Sequence, residues 1–191
     1  MKLIFINATT RVATGYTVIN PLEDKRLVDA LCEYMNQIVG ALKLKDCLVH
    51  ADIIANHREC TAIEISLFPA MDHISDELIK ASTGINIYRE FFSSVEGEAH
   101  SFSAIQTKKM TLRYFGMENC FVHGIPDPDK LLLPHGVKIR KWECNLKVLD
   151  YMEQVKDRDT LTKRGYYILE GPDNTALEHA VYMINKAFDL K

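Results

Sequence analysis

Two short apolar segments, residues 47–54 and 61–68, carry acidic side chains within otherwise sheet-forming sequence. The polar stretch between them, residues 55–60, is typical of a hairpin loop. Side chains alternate between the two faces of a strand. If Asp52 pairs across from Glu64, the two carboxylates meet on one face of a hydrophobic hairpin.

The same register places His50 across from Ser66 on this polar face. Cross-strand neighbours have Cβ atoms about 4.5–5.5 Å apart, and like charges at that separation destabilise a sheet. A hard divalent cation with oxygen ligands would relieve the repulsion between Asp52 and Glu64. The alternative is that both carboxylates simply face solvent, as polar residues of antiparallel sheets often do.

A helix is predicted over about residues 22–42, ahead of the hairpin. Asn20 suits its N-cap and Pro21 its first helical position. Apolar residues then follow at helical spacing: Leu27, Val28, Leu31, Met35, Ile38, Val39 and Leu42. This stripe needs a sheet to cover, so five hairpin residues are expected to be buried beneath it: Val49, Ala51, Ile53, Ile63 and Ile65.

The remaining segments complete an α+β chain with a mostly antiparallel sheet and flanking helices. Two further helices are predicted, from about Ser75 to Gly84 and from about Asn86 to Ser93. Beyond residue 96, strand-like segments alternate with turns, at residues 101–107, 110–115, 119–124, 136–144 and 165–170. The last two helices are predicted at residues 147–155 and 174–190.

The order of these pieces resembles the C-terminal part of the ATP-grasp domain of carboxylate–amine ligases. Residues 50–52 (His-Ala-Asp) resemble its His-x-Glu/Asp strand, and residues 63–66 (Ile-Glu-Ile-Ser) resemble its Glu-x-Asn strand. Residues 81–86 (Ala-Ser-Thr-Gly-Ile-Asn) resemble the end of the helix that follows. The resemblance implies the C-terminal half of an ATP-grasp fold at residues 1–95 and a small α/β C-terminal subdomain at 96–191.

The resemblance also implies a chemistry. Asp52, Glu64 and Ser66 would hold Mg²⁺ or Mn²⁺, with ATP as co-substrate. A small carboxylate would form an acyl phosphate, and an amine or a thiol would then displace the phosphate. No catalytic or nucleotide-binding residue is assigned.

The sequence departs from the family pattern at two site positions. It also lacks the glycine-rich loop with which the family binds the nucleotide. Ser66 stands where the family has Asn, and Phe68 stands where it has Arg. The nine glycines are scattered and form no Gly-x-x-x-x-Gly-Lys-Ser/Thr run. We therefore expect part of a ligase that is inactive without its N-terminal half. The alternative is a degenerate, non-catalytic module for binding or oligomerisation, and a homodimer is left open.

Composition excludes several other classes. With 47% hydrophobic residues the 191-residue chain can bury a substantial core. Its net charge of −3 is not that of a typical nucleic-acid-binding domain, which carries a basic patch. No 18-residue apolar run predicts a membrane span. The odd number of cysteines, five, favours free thiols in a reducing cytoplasm. Arg113 and Lys108 could reach an anion, with solvated surface charges as the alternative.

Overall fold

The computed structural model describes residues 2–19, 24–56, 59–98 and 108–191, which form two compact units. One unit is Ile19–Thr107, and the other combines Lys2–Val18 with Lys108–Lys191. The first two strands of the chain thus belong with its C-terminal part. The domain boundary expected between residues 95 and 96 remains a prediction.

The first unit contains the predicted helix and hairpin. Helix α1 spans Lys25–Ala41, and its N-cap is Asp24, whose carboxylate accepts a hydrogen bond from the Leu27 N–H at 3.2 Å. The expected cap at Asn20 and Pro21 falls outside the described residues. Strands β3 (His50–Ala55) and β4 (Cys60–Ser66) pair antiparallel as a separate two-stranded sheet. The Ala62 N–H donates to the Tyr34 hydroxyl at 3.1 Å, which ties β4 to α1.

None of the five hairpin residues reaches the full burial expected, and the expectation is plainly wrong at two of them. Ile63 is 67% exposed and Ile65 is 38% exposed, whereas Val49, Ala51 and Ile53 are partly buried. A β-bulge explains the pattern at Ile63, because the pairing shifts after Asp52 and leaves Ile63 as the extra residue of β4. A bulge interrupts the alternation on which the expectation rested.

The next helices follow the predicted order. A π-helical turn, Ile74–Leu78, continues directly into helix α2, Ile79–Thr83. Gly84 ends α2 with φ +79°, a left-handed conformation that glycine adopts without steric cost. Helix α3 spans Ile87–Val95, with the Asn86 side chain accepting from the Arg89 N–H.

An antiparallel sheet of five strands organises the second unit. In spatial order the strands are β1 (Lys2–Ile6), β2 (Ala13–Val18), β5 (Met110–Tyr114), β9 (Gly165–Glu170) and β7 (Lys138–Cys144). Helix α5, Asn174–Ala187, contributes Leu177, Ala180 and Ile184 to a core shared with Tyr167 and Leu169 of β9. Trp142 packs at the same core, with its ring stacked on Tyr167 at 5.6 Å.

A smaller three-stranded sheet corrects the prediction for residues 147–155. Strand β6 (Cys120–Gly124) pairs with β8 (Tyr151–Met152) on one side and β10 (Asp189–Leu190) on the other. The expected helix at 147–155 is therefore wrong. Backbone hydrogen bonds from Leu149 to Val122 and from Val122 to Asp150 hold this segment against β6 instead.

Helix α4, Arg158–Arg164, is an element that the sequence patterns missed. The last predicted helix is shorter than expected, because Asp189 and Leu190 form strand β10. The strand expected at residues 101–107 lies outside the described residues. The architecture is the mixed α+β class with antiparallel sheets that the sequence predicted. Among the described residues, no helix combines the length and apolar character that a membrane crossing requires.

Candidate functional site

The polar face of the β3–β4 hairpin has the predicted register. Asp52 pairs with Glu64, and His50 pairs with Ser66. Both pairs precede the bulge, so the four side chains remain on one face in the arrangement that alternation predicts. The hairpin thus brings two carboxylates, an imidazole and a hydroxyl to one small surface.

Asp52 is held by its neighbour along the strand. The Nε2 atom of His50 lies 3.4 Å from Oδ1 of Asp52, and both side chains are about one-third exposed, at 29% and 34%. This contact is an ion pair whenever the imidazole is protonated. Glu64 is exposed on the opposite strand. Asp52 is therefore the anchored member of the pair and Glu64 the adjustable one.

Ser66 is partly committed to the backbone. Its hydroxyl oxygen accepts a hydrogen bond from the Phe68 N–H at 3.3 Å, which turns the chain as it leaves β4. A hydroxyl oxygen has two lone pairs, so one acceptor position is left for another partner. Phe68 itself is 72% exposed and offers an apolar ring where the ATP-grasp pattern has a guanidinium.

The residue types fit a magnesium site that keeps several waters. Mg²⁺ is usually held by one or two carboxylates together with substrate phosphates, rather than by a closed protein cage. Asp52 and Glu64 supply that number of carboxylates. Among the described residues one tight three-residue cluster of ligand atoms is found, and it does not include His50, Asp52 or Glu64. The exposed Glu64 side chain would turn towards Asp52 to share an ion.

A second cluster, which the sequence reasoning did not single out, lies at the start of the π-helical turn. Nδ1 of His73 is 3.5 Å from Oε1 of Glu77 and 3.8 Å from Oδ2 of Asp76. One ligand atom from each residue lies within 4.8 Å of the other two. The i, i+3, i+4 spacing of these residues was the signal that could have found them.

Several titratable groups in the second unit are perturbed by burial. Desolvation lowers the pKa of Arg164, whose guanidinium donates to the backbone carbonyl of Met117 at 2.8 Å. Burial also raises the pKa of the Cys144 and Cys120 thiols, so neither has the lowered pKa of a reactive nucleophile. Arg164 thus ties the end of α4 to the segment that follows β5.

Comparison with known proteins identifies a fold and not a close relative. No family model matches the chain, and no curated protein matches it. A solved structure, that of phosphoribosylglycinamide synthetase from Anaerococcus prevotii, matches with a TM-score of 0.69 at 15% sequence identity. The match covers 100% of this chain and 48% of that chain, so the chain spans about half the length of the protein it resembles. The chain therefore has the fold of part of an ATP-grasp carboxylate–amine ligase, consistent with the C-terminal part.

Proposed function

We propose that this chain is the C-terminal part of an ATP-dependent carboxylate–amine, or carboxylate–thiol, ligase. The observation that carries the proposal is the Asp52–Glu64 pair, with His50 and Ser66 beside it, in a chain of ATP-grasp fold. Like charges directly opposite each other cost a sheet stability. A functional ligand explains why both carboxylates occupy this face.

In this proposal Asp52, Glu64 and Ser66 hold Mg²⁺ or Mn²⁺ together with the phosphates of ATP. The ion supplies positive charge that offsets the charge developing on a transferred phosphoryl group. His50 fixes the orientation of Asp52 through the 3.4 Å contact between Nε2 and Oδ1. Glu64, which is exposed, adjusts to the bound phosphates.

The proposed reaction has two steps. A substrate carboxylate oxygen attacks the γ-phosphorus of ATP, forming an acyl phosphate and releasing ADP. An amine or thiol then attacks the acyl carbon, phosphate leaves, and an amide or thioester remains. Positioning supplies most of the rate in such phosphoryl transfers. The glycine-rich loop and lysines that would position the nucleotide are not in this sequence.

The proposed partner is accordingly the N-terminal half of the ligase, which contains the nucleotide-binding loop and lysines. Apolar side chains are exposed in the first unit, among them Ile54, Ile63, Phe68 and Met71. We propose that these side chains contact the missing half, because contiguous apolar patches mark protein–protein contacts. The hairpin is also a two-stranded sheet, which is marginally stable without further strands or covering elements.

The test is ATP-dependent phosphate release by the complete ligase, with the nucleotide-binding half supplied together with residues 1–191. We expect release to depend on Mg²⁺ and on a carboxylate substrate, and to fall at least about a hundredfold in Asp52→Asn. Asp46→Asn, an exposed aspartate just before the hairpin, is the matched control and should retain activity. Retained activity in Asp52→Asn would reject the assigned role of the pair.

A second function is favoured by the two departures from the family pattern. Ser66 is a weaker metal ligand than asparagine, and the exposed Phe68 suits a protein contact better than a phosphate contact. On this reading the chain is a non-catalytic binding or oligomerisation module. Replacing Phe68 with Ser would then weaken association, measured by sedimentation, without any metal or ATP dependence.

A further inference from the structure

A cavity of about 680 Å³ opens within the second unit, and none of its lining residues is assigned to metal binding. Its lining comes from Asn7 and β2, from β5 and the residues after it, from β9, from the C-terminal end of α5 and from the tail of the chain. The size suits a small organic molecule. Of the described residues that line it, Arg113 and Lys186 are charged, and both are cationic.

Arg113 is held in the cavity wall by a dedicated arrangement. The residue is 6% exposed and lies across from Gly15 on the neighbouring strand. A Cβ atom at Gly15 would come within 2.5 Å of the Arg113 Cδ, so glycine makes room for the arginine side chain. Nε of Arg113 donates to Oγ1 of Thr111 at 3.1 Å.

The outer end of the same guanidinium already binds a carboxylate. Nη2 of Arg113 donates to Oε1 of Glu178 on α5. The Glu178 side chain is half exposed, so it can turn away into solvent. Burial lowers the pKa of Arg113 while Glu178 opposes that shift, and the guanidinium stays charged at neutral pH. A planar guanidinium fork binds a ligand carboxylate or phosphate equally well.

The rest of the lining supplies a cation and an apolar wall. Lys186 is exposed near the cavity, with Nζ 5.7 Å from the centre of the Tyr182 ring. Met117 and Phe188 provide apolar surface. Burial raises the pKa of Tyr167, another residue of the lining, so its side chain stays neutral and adds no negative charge there.

We propose that this cavity binds a small organic anion, a phosphate ester or carboxylate with a planar apolar body. Arg113 and Lys186 bind the acidic group, and the ligand's acidic group takes the place that Glu178 occupies on Arg113. The body lies against the apolar wall. The proposal stands independently of the ligase function, because its residues lie in the other unit.

The test is a titration of the full chain with phenyl phosphate and with benzoate, followed through backbone amide resonances of Gly116 and Asn185. We expect saturable shifts with a Kd on the order of millimolar, as befits ligands of this size. The tighter of the two probes identifies the preferred acidic group. Benzyl alcohol, which has the ring without the charge, should not saturate.

Two variants make the assignment specific. Lys186→Gln should weaken binding about three- to tenfold, and Glu178→Gln should tighten it by a similar factor because the competing charge is removed. Lys138→Gln and Glu143→Gln, exposed residues of the same unit, are the matched controls and should change nothing. Retained amide spectra in all variants verify the fold.

Three results would overturn the whole proposal, and a fourth would overturn one part of it. The first is no saturation by either probe at concentrations on the order of tens of millimolar. The second is the same affinity in Lys186→Gln, Glu178→Gln and wild type. The third is equal binding of benzyl alcohol, which would make the cavity merely apolar. Equal binding of inorganic phosphate would overturn the apolar body of the proposed ligand.

Discussion

Asp52 and Glu64 face each other across strands β3 and β4, one pair before a bulge shifts the register of the hairpin. The position of the bulge matters because a shift of one residue moves a side chain to the other face of a sheet. Had the extra residue fallen before Asp52, the two carboxylates would have been separated. The bulge instead falls on Ile63, and the polar face is kept.

The bulge predicts how hairpin positions respond to truncation. Ile63 is 67% exposed, whereas Leu78 in the same unit is fully buried. Leu78→Ala should lower the free energy of unfolding by about 2–5 kcal/mol. Ile63→Ala should change it by less than about 1 kcal/mol, because little buried surface is lost. Urea unfolding of the two variants checks this, and a large cost at Ile63 would place it in the core after all.

Gly165 is predicted to be intolerant of any side chain. It has φ +96°, and a Cβ atom there would lie 1.9 Å from the backbone oxygen of Glu143. Gly165→Ala should therefore destabilise the second unit by about 1–3 kcal/mol or more. Gly40 in α1 is the control, since nothing lies within 4 Å of a Cβ built there.

Gly40→Ala should stabilise the protein by about 0.5–1 kcal/mol, because alanine loses less backbone entropy in a helix. Thermal melts of both variants measure the contrast. Equal effects of the two substitutions would contradict the backbone conformation assigned to Gly165.

Asp157 is predicted to make α4 sensitive to acid. Its carboxylate accepts hydrogen bonds from the Thr160 hydroxyl at 2.7 Å and the Thr160 N–H at 2.8 Å. These bonds lower the pKa of Asp157 in the folded protein. A lowered folded pKa adds stability above the ordinary aspartate pKa, and this stability is lost as pH falls through the folded value.

Asp157→Asn keeps an oxygen acceptor at the N-cap but cannot titrate. The stability advantage of wild type over this variant should therefore shrink as pH falls below about 4. Unfolding free energies measured across the acidic range check the sign. An advantage that is constant or grows on acidification would contradict the assigned hydrogen bonds.

Residues 1–191 alone are predicted not to turn over ATP at an enzyme-like rate. The sequence contains no glycine-rich phosphate loop, so binding energy cannot position the nucleotide. A coupled phosphate-release assay on the purified chain measures this. Saturable turnover that disappears in Asp52→Asn would contradict the prediction and place a whole active site in this chain.

Local sequence patterns predicted the elements in which the spacing of apolar residues matches the side of the element that packs against the protein. The stripe of α1 and the apolar positions of α5 follow the helical period, and both helices form close to the expected bounds. The alternation of side chains along each strand placed His50 with Asp52 and Glu64 with Ser66, and the supposed pairing of Asp52 with Glu64 is the one observed. In each case local preference and tertiary structure favour the same conformation.

The failures come from contacts that are distant in sequence or from special backbone conformations. Residues 147–155 have apolar spacing compatible with a helix, but Leu149 has φ +76° and its N–H donates to the carbonyl of Val122. The burial of Arg113, expected as a candidate anion contact or a solvated charge, depends on Gly15 of a distant strand. No local pattern around Arg113 contains that information.

A titration of residues 1–191 with Mn²⁺, followed by water proton relaxation alongside thermal melts, tests the central claim most directly. Wild type should respond at concentrations on the order of millimolar. Asp52→Asn and Glu64→Gln should each lose the response and melt at the same or a slightly higher temperature, because a like-charge pair is relieved. Asp76→Asn, in the His73–Asp76–Glu77 cluster, should respond as wild type does. An equal response in wild type, Asp52→Asn and Glu64→Gln, or a response lost only in Asp76→Asn, would contradict the assignment of the Asp52–Glu64 pair as a metal site.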